Sequence, residues 1–322
     1  ASPNVDVSDT GTSHASQDFL TNSNAARTTI GVERAAGGGL FVGSSAHAAV
    51  FGSAGANSTQ IASNNNVRMT VDSAGKVGGI LANMHEPISY LDDNLTIGRN
   101  IIMSSFRVGV KNFINLASTC MYPRNVANPL TEDLILKGEL EPTNEGYALA
   151  KIASTRLCQY ISKQHPDLNY KTLIPCNLYG RFDKFSPNNS HLLPSIIKKV
   201  HEAKVNCQEE VEIWGDGTAR REFMYAGDLS LAIWKAVNDI TRVPDLLNCG
   251  LGYDYTINEY YSQVAEVVGW EGTFVHDLER PVGMKQKLCD ISRQKNWGWA
   301  PEVSLSEGIK RTYRYYLESN NQ

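Results

Sequence analysis

The sequence predicts an α/β protein, with a doubly wound parallel sheet and a smaller α/β domain beside it. Two observations carry this. From Lys76 onward, strand-like and helix-like segments alternate, which builds a parallel sheet covered on both faces. Ser118 and Cys120 fall at the end of one strand segment, where such sheets hold their ligands.

The elements follow in order. "LDDNLTIGRNIIMSSFRVGV" (91–110) has the apolar spacing of a helix. "NFINLAST" (112–119) reads as a buried strand. If strand geometry persists to residue 120, the Ser118 hydroxyl and the Cys120 thiol look into one space. Taken alone, Cys120 reads equally as a small buried apolar residue. "NEGYALAKIASTRLCQYISKQ" (144–164) is a helix with Leu149, Ile152 and Ile161 on its apolar face. "YKTLIPCNLYG" (170–180) is a single buried strand ended by Gly180, and "EVEIWGDG" (210–217) is a strand ending in a turn. "DLSLAIWKAV" (228–237) is a helix opened by Asp228, and "DLLNCG" (245–250) is a short strand. Thr256–Glu259 and Ser304–Glu307 have the spacing of capping boxes that start the last two helices.

Residues 1–75 have another texture. Ala, Gly, Ser, Thr and Asn supply 47 of these 75 positions, and Lys, Tyr, Trp and Cys are absent, so large apolar residues are too sparse for a periodic reading. Over the whole chain the formal net charge of -4 gives no reason to expect a nucleic-acid partner. No apolar run approaches a membrane span and no signal-peptide pattern is visible. The six cysteines are scattered, without a C-x-x-C pair or a His cluster at ligand spacing. The expectation is reduced thiols, no metal and a cytoplasmic setting.

Tyr147 and Lys151 stand four apart on a predicted helix and so share a face. An ammonium beside a phenol favours the phenolate, which lowers the Tyr pKa toward neutral general-acid work. The Ser118 hydroxyl can bond the same substrate oxygen, and together the three suit reduction of a carbonyl by a nicotinamide hydride. Ser118, Tyr147 and Lys151 resemble the catalytic triad of the extended short-chain dehydrogenase/reductases. "STCMYP", "EPTNEGYALAKIA", "PCNLYG", "NNSHLLP", "VHEAK", "WGDGTARREFMYAGDL" and "RPVGMKQKLCD" narrow the resemblance to the GDP-L-fucose synthase family, from about Lys76 to the C-terminus.

That resemblance implies a Rossmann-like fold and NADPH-dependent 3,5-epimerisation and 4-reduction of a GDP-4-keto-6-deoxyhexose. It implies catalytic roles for Cys120 and His191 as the acid and base of epimerisation, beside Ser118, Tyr147 and Lys151. Both side chains can titrate near neutrality. It places NADP(H) against Leu116, Ala117, Ser118, Thr119, Tyr147, Lys151, Pro175, Cys176, Asn177, Leu178 and His191, with the "KVGG" loop (76–79) nearby. It places the sugar nucleotide against Lys199, Trp214 and Arg221. It also implies a homodimer, a cofactor domain of residues 1–178 and 226–250, and a substrate domain of 179–225 and 251–322. Thr119-Cys120 stands where the related 4,6-dehydratases carry an acidic pair.

The chain departs from the family twice. Val282 replaces an Asp expected to contact substrate, which leaves open a GDP-colitose-type synthase acting on a 3,6-dideoxy sugar. The glycine-rich fingerprint is missing: family spacing puts it at 21–27, "TNSNAAR", which has no glycine. Three readings of 1–75 stand side by side: a recorded segment that is not the natural one, a divergent enzyme, or a sugar-nucleotide-binding pseudoenzyme. The spacing predicts in any case that 1–75 fold as an opening βαβ unit, with a strand ending near Phe19-Leu20, a turn and helix start in 21–27, and a strand over 66–71.

Overall fold

The computed structural model describes residues 15–20, 27–32, 49–54, 59–63, 66–71, 80–185, 190–280 and 283–320. The chain divides into two compact units, Ala1–Gly75 and Lys76–Gln322.

In the first unit β1 (Ala15–Leu20), β2 (Arg27–Val32) and β3 (Ala49–Ala54) form an antiparallel sheet in that order. β4 (Thr59–Ser63) and β5 (Asn66–Val71) form an antiparallel pair with an irregularity between Ile61 and Ala62. Strands do end at Leu20 and span 66–71 as the spacing predicts. The expected βαβ arrangement is corrected: every described pairing here is antiparallel, Arg27 opens a strand, and no helix occurs among the described residues of this unit. The connections explain this. Residues 64–65 can close only a hairpin, and the six residues between β1 and β2 are too few for a parallel crossover. The rest of the 21–27 turn, and the loop at 76–79, lie outside the described residues.

The second unit opens with α1 (Ile80–His85) and α2 (Pro87–Arg107), followed by β6 (Asn112–Leu116). α3 (Glu145–Gln164) leads to β7 (Asn169–Pro175) and β8 (Asn177–Tyr179). α4 (Leu192–Val205), β9 (Glu210–Trp214), β10 (Arg220–Arg221) and β11 (Phe223–Tyr225) precede α5 (Ala226–Asn238). β12 (Leu246–Cys249), β13 (Tyr255–Thr256), α6 (Ile257–Val268), β14 (Thr273–Asp277), β15 (Gln286–Lys287), α7 (Ser292–Trp297) and α8 (Leu305–Asn320) complete it.

β12, β7 and β6 pair in parallel, in that order. β7 shows why the sheet is covered twice. Tyr170 and Ile174 pack with residues of α3, whereas Leu173, on the opposite face, packs with Leu229 and Ala232 of α5. On α3, Ile152 and Ile161 are buried, but Leu149 is 41% exposed, and small Ala148 and Ala150 take the inner face instead.

The predicted single strand over 170–180 is two. β7 ends at Pro175, and β8 pairs in parallel with β11. β9 pairs in parallel with β14, and α4, α6 and α8 bury Ile196, Val200, Val264 and Ile309 in the same core as its Val211 and Ile213. Gly215 and Gly217 end β9 with φ of 71° and 68°, a turn that suits residues without Cβ. The Thr256–Glu259 capping box forms in full. At Ser304 the side chain accepts from Glu307 N, but the Glu307 carboxylate turns to Arg311. α5 begins at Ala226, not at Asp228, whose buried carboxylate accepts from the backbone of Glu302 and Val303.

Candidate active site

β6 stops at Leu116 and delivers Ser118 in extended conformation (φ -156°, ψ 149°). Thr119–Met121 then form one turn of 3₁₀ helix, so Cys120 sits on a turn rather than on a continuing strand. Ser118 Oγ accepts from Cys120 N at 3.3 Å, which ties the two together. Both still face one space, a cavity of about 610 Å³. Thr119 and Met121 are buried and anchor the turn.

α3 supplies the adjoining wall. Tyr147 and Lys151 share a face, with Lys151 Nζ 5.6 Å from the ring centroid. The ammonium donates to Leu116 O at 3.0 Å, at the end of β6. The expected lowering of the Tyr147 pKa is corrected. Burial of the phenol pushes it up, charge on Cys120 adds to this, and a hydrogen bond with Ser118 opposes it. The phenol is thus held protonated, the state from which a proton donor must start. Burial also lowers the Lys151 pKa, against the pull of Cys120.

Asn144 stands at the N-cap of α3, a position that favours Asn because its side chain can satisfy a free backbone N–H. Here the amide makes no cap bond and donates instead to Cys120 Sγ at 3.3 Å. Its Oδ1 is buried without a hydrogen-bond partner among the described residues. Lys287 of β15 approaches the same sulfur at 3.7 Å. Lys287 pairs in register with Arg221 of β10, and both line the cavity. Burial lowers the Arg221 pKa, and the Glu141 carboxylate opposes that.

His191 precedes α4 and lines the cavity too. Burial lowers its pKa, and the carboxylate of Asp183, another lining residue, opposes that. Leu116, Ala117, Pro175, Cys176, Asn177 and Leu178 complete the wall over the strand ends, and Thr119 does not reach it. Lys199 and Trp214 stand apart from the cavity lining: Lys199 Nζ lies 5.8 Å from the Trp214 ring centroid, and the Arg280 guanidinium lies 5.1 Å from the same ring. Trp214 lies in β9, outside the sheet that carries Ser118. Val282 lies outside the described residues.

Asn144, Asp183 and Lys287 were not singled out by sequence reasoning. Asn144 and Lys287 lie within quoted family motifs, and Asp183 lies eight residues before His191.

A serine at a parallel-strand end, beside the Tyr and Lys of a Tyr-x-x-x-Lys helix on one cavity, defines the catalytic wall of a short-chain dehydrogenase/reductase. A family model, the NAD dependent epimerase/dehydratase family, matches residues 48–250. The chain is 53% identical over 252 residues to a GDP-L-fucose synthase of Azorhizobium caulinodans, covering 78% of this chain and 80% of that one. It is 49% identical over 251 residues to a GDP-L-colitose synthase of Yersinia pseudotuberculosis, covering 78% and 82%. A solved GDP-mannoheptose C4 reductase from Campylobacter jejuni, with NADP bound, superposes with a TM-score of 0.68 at 29% identity, covering 75% of this chain and 80% of that one. The chain belongs to the GDP-L-fucose synthase family of the extended short-chain dehydrogenase/reductases.

Proposed function

We propose that the protein is an NADPH-dependent epimerase/reductase that converts a GDP-4-keto-6-deoxyhexose to the epimerised, C4-reduced sugar. One observation carries this reading: Cys120 and His191 line the same cavity as Ser118, Tyr147 and Lys151.

The residues present fit the nicotinamide end of the cofactor. Lys151 reaches the cavity with one bond to Leu116 O, which leaves further N–H donors for a ribose hydroxyl. Leu116, Pro175 and Leu178 offer an apolar wall for a flat ring. Bound there, NADPH supplies a hydride for C4.

The C4 ketone acidifies the C–H bonds at C3 and C5. Cys120 and His191 exchange those protons as base and acid, inverting the carbon when they act on opposite faces. Ser118 and Tyr147 donate hydrogen bonds to the C4 oxygen, and Tyr147 then gives up its proton to the alkoxide. Arg221, Lys199 and Trp214 take the GDP moiety, with cations for the diphosphate and an aromatic face for packing. In this reading residues 1–178 and 226–250 form the cofactor domain, and 179–225 and 251–322 the nucleotide-sugar domain. The enzyme is a homodimer through α2 and α3, where Ile88 and Tyr160 are 81% and 64% exposed. Six free cysteines suit a cytoplasmic setting.

The test is turnover: NADPH with GDP-4-keto-6-deoxymannose, or with its 3-deoxy analogue, read by NADPH oxidation and product NMR. Preference for the 3-deoxy ketone assigns the colitose-type reaction. A second reading, a sugar-nucleotide-binding pseudoenzyme, is favoured by the antiparallel pairing over 15–71 and the glycine-free stretch at 21–27. GDP-sugar binding without NADPH binding or turnover would establish it and overturn the first.

A further inference from the structure

The Cys120 sulfur has two protein donors that the proposed chemistry does not itself require. Asn144 Nδ2 lies at 3.3 Å and Lys287 Nζ at 3.7 Å. They come from the start of α3 and from β15, more than a hundred residues apart in sequence. Asn144 gives up the capping bond that its position favours.

Lys287 is held firmly. Leu288 N donates to Asn128 Oδ1 at 2.8 Å, Leu130 N donates to Leu288 O at 2.7 Å, and Cys289 N donates to the buried Glu222 carboxylate at 2.9 Å. On the other side β15 pairs with β10. The strand therefore delivers a cation to the sulfur from a fixed backbone. The other Asp, Glu, His, Lys and Arg side chains lining the cavity are Glu141, Lys151, Arg181, Asp183, His191 and Arg221.

We propose that Lys287 is a positioning residue for Cys120: with Asn144 it fixes the sulfur against the cavity and compensates negative charge on it. The inference rests on the proposed epimerisation for its purpose, not for its geometry. In the step served, the Cys120 thiolate takes a proton from carbon. The C–H bond breaks, the S–H bond forms, and the C–H electron pair passes into the enolate at C4. The Lys287 ammonium, 3.7 Å from the sulfur, stands beside the charge that the sulfur carries before that step. Asn144 and Lys287 occupy two directions around the sulfur, which leaves its remaining approach for substrate.

The test begins without substrate. The full-length chain is alkylated with iodoacetamide at neutral pH, and each cysteine is followed by peptide mass spectrometry. Exposed Cys207 is the internal control. In Lys287→Met, and equally in Lys287→Gln, alkylation of Cys120 slows about tenfold while Cys207 is unchanged, and Lys287→Arg restores most of the rate. A wild-type Cys120 rate in both neutral variants overturns the proposal. In a second arm, exchange of the C3 and C5 protons of GDP-4-keto-6-deoxymannose into deuterated solvent slows more in Lys287→Met than hydride transfer does. Wild-type protein that exchanges no protons refutes the epimerase reading, and the alkylation arm then still decides the role of Lys287.

Discussion

Asn248, fully buried in β12, ties the strand that carries Lys287 to the rest of the unit. Its Oδ1 accepts from Tyr122 Oη at 2.6 Å, and its Nδ2 donates to Leu130 O at 2.9 Å and Asp290 O at 3.0 Å. Asn248→Leu keeps the volume and removes all three bonds. Leu130 O retains the N–H of Asp290. The Tyr122 hydroxyl and Asp290 O lose the bonds described for them. The buried hydroxyl at roughly 1–3 kcal/mol, with the part-buried Asp290 O costing less, predicts a loss of about 1–4 kcal/mol. Tyr122→Phe alone leaves only Asn248 Oδ1 unpaired and costs about 1–2 kcal/mol. In the double variant neither the hydroxyl nor Asn248 Oδ1 is left to orphan, so its loss falls short of the sum of the singles by roughly 2–5 kcal/mol. Urea unfolding of the four proteins measures the cycle. A single Asn248→Leu costing under about 1 kcal/mol, or strict additivity, refutes the assignment of the network.

The other predictions concern the site and one cap. Cys120→Ser slows exchange of the C3 and C5 protons into deuterated solvent far more than reduction of an already epimerised ketone, and Tyr147→Phe does the reverse, by about 10²–10⁴-fold in hydride transfer; NMR exchange and NADPH oxidation read the two separately. Burial holds the His191 pKa below its ordinary 6.5. The unfolded chain therefore takes up a proton that the folded chain refuses as pH falls through that window, and stability falls with it. His191→Gln flattens this part of the stability–pH curve, as followed by thermal melts between pH 7 and 5. Thr256→Ala removes the bond from Glu259 N to the Thr256 hydroxyl and the hydroxyl's own bond to the Glu259 carboxylate, leaves the backbone half of the α6 capping box, and costs about 1 kcal/mol in urea unfolding.

Sequence reading located the elements of the second unit because apolar spacing and turn residues agree there. It failed where a distant partner decides. Nothing local marks Cys176 as a break. The run resumes with Leu178 and Tyr179 after Asn177, and the division exists because β8 pairs with β11 while β7 pairs with β6 and β12. Asp228 reads as a helix start, but its carboxylate serves the backbone of residues 302 and 303. Leu149 has helical spacing, yet the sheet side of α3 is filled by smaller residues. Over 15–71 the small residues carry no period, so the reading fell back on family spacing and predicted a βαβ unit where the described pairing is antiparallel. The catalytic types were legible from their motifs, whereas Asn144 and Lys287 look like an ordinary cap and an ordinary lysine until the fold brings them to the sulfur.

Ser118 and Cys120 share one short turn, linked through a single hydrogen bond. Under the proposed reaction the group that handles carbon acidity and the group that steadies the ketone oxygen are thus mounted on one rigid bracket. A sugar passing from inversion to reduction has no need to travel between stations. It has only to swivel about its diphosphate tether, and the bracket keeps time for both halves of the reaction. Such a layout favours completion over escape, so the ketone made midway should rarely be caught free in solution.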